Sequence, residues 1–170
     1  MKKQMMVAAL LLCVGVAVAA PPAKSAKWQD DFSLAQSQAK KEGRPILADF
    51  TGSDWCGWCI KLDKEVFSQK AFQDYAASNL VLFVADYPRR KKLSAKTQKQ
   101  NEGLQGKYQI QGFPTVLLLD AEGKVLEQTG YQPGGADAYV TSLKGLLDKS
   151  GWKPGVATNR TAQVVAPAVK

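Results

Sequence analysis

The chain reads as an α/β protein with a mixed central sheet and helices on both faces. Three observations predict this. Compact apolar runs, "ILADF" (46–50), "LVLFVAD" (80–86) and "TVLLLD" (115–120), alternate with longer stretches whose apolar residues recur at helical steps. Runs that are apolar throughout suit strands covered on both sides, and strands that alternate with helices pair in parallel through right-handed crossovers. Finally, Glu122-Gly123 forms a turn after the third run and folds the chain back as a hairpin, which makes the sheet mixed.

The expected element order is αβαβαββα. Trp28, Phe32, Ala35 and Ala39 share one helical face and Gly43 can close the helix, so a first helix is placed at 30–42. Pro45 precedes the first strand, and residues 51–55 form a loop. A second helix opens at Cys56 or Gly57 with Cys59, Leu62 and Val66 turned inward at steps of three and four, and 71–77 continues it after a bend. The strand at 80–86 leads to a polar helix over 95–108, where Leu104 and Tyr108 give the inner side. The strand at 115–120 turns into 124–129, and a last helix over 136–147 presents Tyr139, Val140, Leu143, Leu146 and Leu147 on one face.

The folded domain is therefore placed at 28–150. Residues 1–20 have the marks of a cleavable signal peptide: Lys2 and Lys3, an apolar run from Met5 to Val16, and small residues at Ala17 and Ala19. The run is short for a membrane span, which needs about 20 apolar residues, although an uncleaved N-terminal anchor stays open. Residues 21–27 read as a linker. The stretch 151–170, rich in Pro, Gly, Ala and Val without a period, reads as a loose tail, and its Asn159-Arg160-Thr161 sequon is a pattern that often occurs by chance. A periplasmic or secreted location follows. The length of 170 residues suits one domain, and 45% hydrophobic with 22% charged residues is an ordinary globular composition.

Of three cysteines, Cys13 leaves with the leader, and Leu11 and Leu12 stand where a lipoprotein signal wants small residues. That leaves Cys56 and Cys59 in "SDWCGWCIKL" (53–62). Two residues apart, they close too small a loop for a useful staple. A structural zinc wants four Cys or His ligands, and the chain has no histidine and no second cysteine pair. A c-type haem needs His after the second Cys, where Ile60 stands. An inert pair in a binding domain is the bland alternative. Placement favours redox chemistry, because the pair lies where a buried strand gives way to a helix. Free N–H groups and the positive dipole end stabilise a thiolate there. Cys56 would attack, and Cys59, one turn further in, would be shielded and resolve the mixed disulfide.

"ILADFTGSDWCGWCIKL" resembles the strand, loop and active-site helix of the thioredoxin family. "KYQIQGFPTVLLLD" (107–120) resembles that family's second signature, which carries a cis-proline. With the element order, the likeness covers about Trp28 to Leu147, and the WCGWC site is closer to exported bacterial members than to cytosolic thioredoxin. The resemblance implies a thioredoxin-like fold and a disulfide reductase or exchange enzyme with no cofactor beyond the Cys56–Cys59 disulfide and no metal. It implies that Pro114 is cis and faces the cysteines, with the backbone at Phe113 pairing with an extended substrate strand. It makes Asp49 the buried acid that assists proton transfer at Cys59; a carboxyl inside "ILADF" is costly unless its pKa rises or it is paired, the alternative being a strand-end acid that reaches solvent. Trp55 would shield the site and pack on substrate. Trp58 departs from the proline of thioredoxin and the histidine of protein disulfide isomerase, so no charge inside the motif strongly depresses the thiol pKa, which favours the reductant direction. Lys61 could aid the thiolate and Asp54 would oppose it.

The implied partners are protein disulfides and an upstream thiol reductase of the membrane or periplasm that supplies electrons. The six cations between Arg89 and Lys99 read as a solvated surface, or else as a docking patch for acidic partners or a membrane. Nucleic acid is disfavoured because the chain is exported and has no recognition motif. A non-catalytic thioredoxin-like module that holds exported clients is the second class of function.

Overall fold

The computed structural model describes residues 26–154. The expected leader, residues 21–25 of the linker, and the tail from 155 with its sequon lie outside them. The described chain runs β1 (Trp28–Gln29), α1 (Phe32–Glu42), β2 (Ile46–Thr51), α2 (Gly57–Leu62), a π-helical turn (Asp63–Phe67), α3 (Lys70–Asn79), β3 (Val81–Asp86), α4 (Ala95–Lys107), β4 (Thr115–Leu119), β5 (Val125–Thr129) and α5 (Gly135–Ser150). The sheet order is β1-β3-β2-β4-β5, which puts β2 at its centre.

Period-two alternation sorts the strand side chains onto two faces. Leu47, Leu82, Val116 and Leu118 meet Leu62, Val66, Phe72, Tyr139 and Leu143 of the π-turn side, α3 and α5. Ile46, Ala48, Phe50, Phe83, Leu117 and Leu119 meet Phe32, Ala35, Ala39 and Leu104 of α1 and α4. Helices on both faces and a mixed sheet are as the sequence predicts.

Three details differ. Trp28 does not extend the first helix: Asp31 caps it by accepting from the Ser33 and Leu34 amides, so α1 starts at Phe32. Trp28 and Gln29 instead pair in parallel with Leu82 and Phe83, as an extra edge strand too short to show a period. The inward side of α4 holds Leu104 and Tyr108 as expected, with Tyr108 also capping the helix end, but buried Asn101 joins them. The third difference is direction: β4, although reached through a helix, runs antiparallel to β2. That direction pairs Phe50 with Thr115 and brings the start of β4 to the end of β2.

The bend after α2 is a π turn in which Ser68 N–H reaches back to Asp63 O, and its extra residue turns both Val66 and Phe67 into the core. The hairpin is held by Asp120, whose carboxylate accepts from the Glu122 and Lys124 amides, with Gly123 at φ +80°. Past α5, where the sequence predicts loose chain, Trp152 donates its N–H to Leu147 O and packs against the core. Among the described residues no helix is long and apolar enough to cross a membrane.

Leu118 is fully buried at the middle of β4. Leu118→Ala should lower the unfolding free energy by about 2–5 kcal/mol, measured by urea denaturation of the oxidised protein.

Candidate active site

Four residues separate the end of β2 from the first residue of the cysteine motif. Gly52 N-caps nothing but makes room: a Cβ there would lie 2.5 Å from the Trp55 ring. Trp55 therefore folds back over the loop, and its indole N–H donates to Tyr87 O at 2.7 Å. Cys56 follows in extended conformation as the residue that caps α2, and its sulfur accepts the Cys59 N–H at 3.2 Å. The two cysteines form a disulfide, with Cα atoms 5.2 Å apart and both side chains buried. The Cys56 sulfur thus sits where the helix offers an unpaired N–H and its positive dipole end. Cys59, Leu62 and Val66 face inward, as their spacing predicts.

The Phe113–Pro114 peptide bond is cis. Phe113 closes against the cysteine loop, its ring 5.9 Å from that of Trp55 and 5.0 Å from that of Tyr87. Register explains the meeting, since Pro114 immediately precedes Thr115, the partner of Phe50. Trp58 is more than half exposed on the opposite side of the motif, tilted against Tyr131 at 5.2 Å. The Lys61 amino group lies 5.2 Å from the Trp58 ring and 5.1 Å from that of Tyr131, which in turn donates its hydroxyl to Glu65. Lys61 is therefore occupied on an aromatic surface beside the motif.

Asp49 is buried at 6% exposure and does not reach solvent as a strand-end acid would. It lines a cavity of about 260 Å³ shared with Cys59, Thr51, Ser53 and Asp63. Its Oδ1 has no hydrogen-bond partner among the described residues. Burial, with the nearby carboxylates of Asp63 and Asp86 adding to it, raises its pKa to about 8.

Several residues at the site carry no sequence signal of their own. Asp54 is engaged by the next loop: its carboxylate accepts the Arg89 and Arg90 amides at 2.9 and 2.8 Å, and these bonds hold its pKa below the usual range. Asp86 accepts both the amide and the hydroxyl of Ser53. Arg89 stacks its guanidinium 3.9 Å from the Trp55 ring. Asn101 is buried, donating to Asp86 O while its own carbonyl accepts the Tyr87 hydroxyl. The polar Asn101 amid the inner side of α4 was the one available hint.

Comparison with known proteins agrees with this geometry. Residues 32–140 match the thioredoxin-like domain family. The chain is 34% identical over 125 residues to the disulfide bond reductase DsbH of Chlamydia pneumoniae, covering 74% of this chain and 75% of the relative. It is 31% identical over 100 residues to the thiol:disulfide interchange protein DsbD of Actinobacillus pleuropneumoniae serotype 5b, but these cover only 16% of that protein. A solved structure of a DsbH oxidoreductase superposes with a TM-score of 0.70 at 32% identity, covering 79% of this chain and 94% of that one. The chain belongs to the thioredoxin-like family, among its thiol–disulfide oxidoreductases.

The buried acid gives a pH test that the disulfide does not confound, because bonded cysteines do not titrate. An unfolded Asp loses its proton near pH 4, at about 3.9, whereas folded Asp49 keeps it until about pH 8. The folded state therefore binds the extra proton between these values, and stability should fall as pH rises through that window. Urea denaturation of the oxidised protein across the range should show this fall, and Asp49→Asn should flatten it.

Proposed function

We propose that the chain reduces protein disulfides outside the cytoplasm. The observation that carries this reading is the Cys56–Cys59 disulfide at the start of α2 beside the cis Phe113–Pro114 bond. The name of the Chlamydia relative, a disulfide bond reductase, supports the direction. So does the motif, since Gly57 and Trp58 between the cysteines bring no charge to hold a thiolate strongly.

In the reduced protein, the Cys56 thiolate attacks one sulfur of a substrate disulfide. The attacked sulfur stays bonded to Cys56 as a mixed disulfide, and the other substrate sulfur leaves as a thiolate that takes a proton from solvent. Cys59 then gives up its proton and attacks the Cys56 sulfur. The substrate sulfur bonded to Cys56 leaves as a thiolate and takes a proton, and the enzyme is left with the Cys56–Cys59 disulfide, having passed two electrons to substrate. Asp49 is the group we assign to take the Cys59 proton, in the ionised form that gains population as pH approaches about 8. Its pKa of about 8 lies close to that of a free thiol, about 8.5, so transfer between them is nearly balanced. Phe113 and Pro114 offer backbone to an extended substrate segment, while Trp55 walls the attacking sulfur and Trp58 offers an exposed apolar contact.

The oxidised pair must be reduced again. A dithiol reductase of the membrane or periplasm is the class of donor that fits, and likeness to one segment of DsbD supports a place in such an electron chain. The leader-like residues 1–20 support export. No group beyond the cysteine pair is needed for the chemistry.

Cys56→Ser should abolish turnover of a model protein disulfide, measured as insulin reduction with dithiothreitol as donor. Cys59→Ser should instead accumulate a mixed disulfide with oxidised client proteins, visible as a reductant-sensitive mass increase. A Cys56→Ser protein that keeps full turnover would sink the assignment.

A further inference from the structure

The basic run after β3 is not a free loop. Its backbone is pinned to the cysteine loop by Asp54, which accepts the Arg89 and Arg90 amides. Ser53 on Asp86 and the Trp55 indole on Tyr87 O add three more hydrogen bonds between the same two loops. The arrangement uses the nearest carboxylates on backbone and hydroxyl donors. It leaves the side chains of Arg89, Arg90, Lys91 and Lys92 exposed, and none of the four forms an ion pair among the described residues. Elsewhere on the surface, Lys70, Lys96 and Lys149 do pair with carboxylates.

Position gives this charge a use. The Arg89 guanidinium lies on the ring of Trp55, the residue before Cys56. A cleft of about 450 Å³ lies between the same loop and α4, lined by Tyr87, whose carbonyl holds the Trp55 indole, and by Pro88, Lys91, Lys92 and Leu93. Its two carboxylates, Asp86 and Glu102, already accept from Ser53 and Gln98. A segment leaving the cysteine site past Trp55 would therefore cross a fixed cluster of unpaired cations. Counting Asp54 as well, four cations face three carboxylates around the loop, so the excess charge is positive and lies on the exposed side chains. An excess of one sign beside a cleft raises the encounter rate of oppositely charged ligands by about 10-fold or more.

We propose that Arg89–Lys92 is a substrate-docking surface that selects disulfides flanked by acidic residues. The proposal rests on the reductase reading and adds a substrate class to it. A protein substrate fits better than a membrane, because the exposed large apolar residues of the described chain are Leu34, Trp58, Ile60 and Val125, none of them in this loop, and interfacial binding is strengthened by apolar insertion next to the charge.

The test uses two synthetic peptide disulfides, one flanked by Glu and one by Lys, with hydroxyethyl disulfide as a neutral reference. The unsubstituted chain should reduce the Glu-flanked peptide with a kcat/KM about tenfold or more above the Lys-flanked one, and the difference should shrink as salt is raised. The triple variant Arg90→Glu, Lys91→Glu, Lys92→Glu, which keeps Arg89 on Trp55, should invert the preference. A rise on one peptide with a fall on the other cannot come from misfolding. Equal rates on both peptides, or a parallel fall on both in the variant, would overturn the docking surface while turnover of hydroxyethyl disulfide left the reductase reading standing. No turnover of hydroxyethyl disulfide by the unsubstituted chain would remove both. Retention of the chain on phosphatidylserine vesicles, with no preference between the peptides, would assign the cations to a membrane and overturn the proposal as well.

Discussion

Everything at the site depends on the antiparallel pairing of β2 with β4 at the centre of the sheet. Parallel pairing would send the start of β4 to the far edge. Antiparallel register sets Thr115 opposite Phe50, so the cis Phe113–Pro114 bond and the cysteine loop emerge side by side. The aromatic contacts of Phe113 with Trp55 and Tyr87 then join three loops, after β2, after β3 and before β4, into one rim. The sheet beneath is apolar on both faces and covered on both, which makes the register costly to shift.

Within that frame the charges are separated by depth. Inside, Asp49 sits behind Cys59 with carboxylates, not cations, as its charged neighbours, and burial keeps its proton on well into the neutral range. Outside, cations border the motif but are held on rings: Arg89 on Trp55, Lys61 on Trp58 and Tyr131. The nearest acid in sequence, Asp54, is satisfied by backbone amides. The start of α2 is the feature placed to stabilise a Cys56 thiolate, and neither residue between the cysteines adds a charge to it.

The sequence made the site's chemistry legible and left much of its surroundings hidden. Three strands announced themselves because runs such as "TVLLLD" are apolar at every step, and the inward set Cys59, Leu62 and Val66 followed from helical spacing. The direction of β4 was not legible, since an apolar run reads the same either way. Trp28–Gln29 was missed because two residues have no period. The cysteine pair, Pro114 and Asp49 were visible through local pattern and resemblance. The roles of Asp54, Arg89 and Asn101 depend on contacts between loops distant in sequence, and no spacing rule reaches those. For the same reason the second role of Asp54, pinning the next loop through its hydrogen bonds, had no signal in the sequence.

The central claim is that this site delivers electrons. The measurement that bears on it most directly is the reduction potential of the Cys56–Cys59 pair, obtained by equilibrating the protein with defined thiol–disulfide buffers and counting reduced and oxidised forms. The account predicts a value near the thioredoxin range, about −270 mV. A value near about −120 mV, where a disulfide is donated readily, would contradict it.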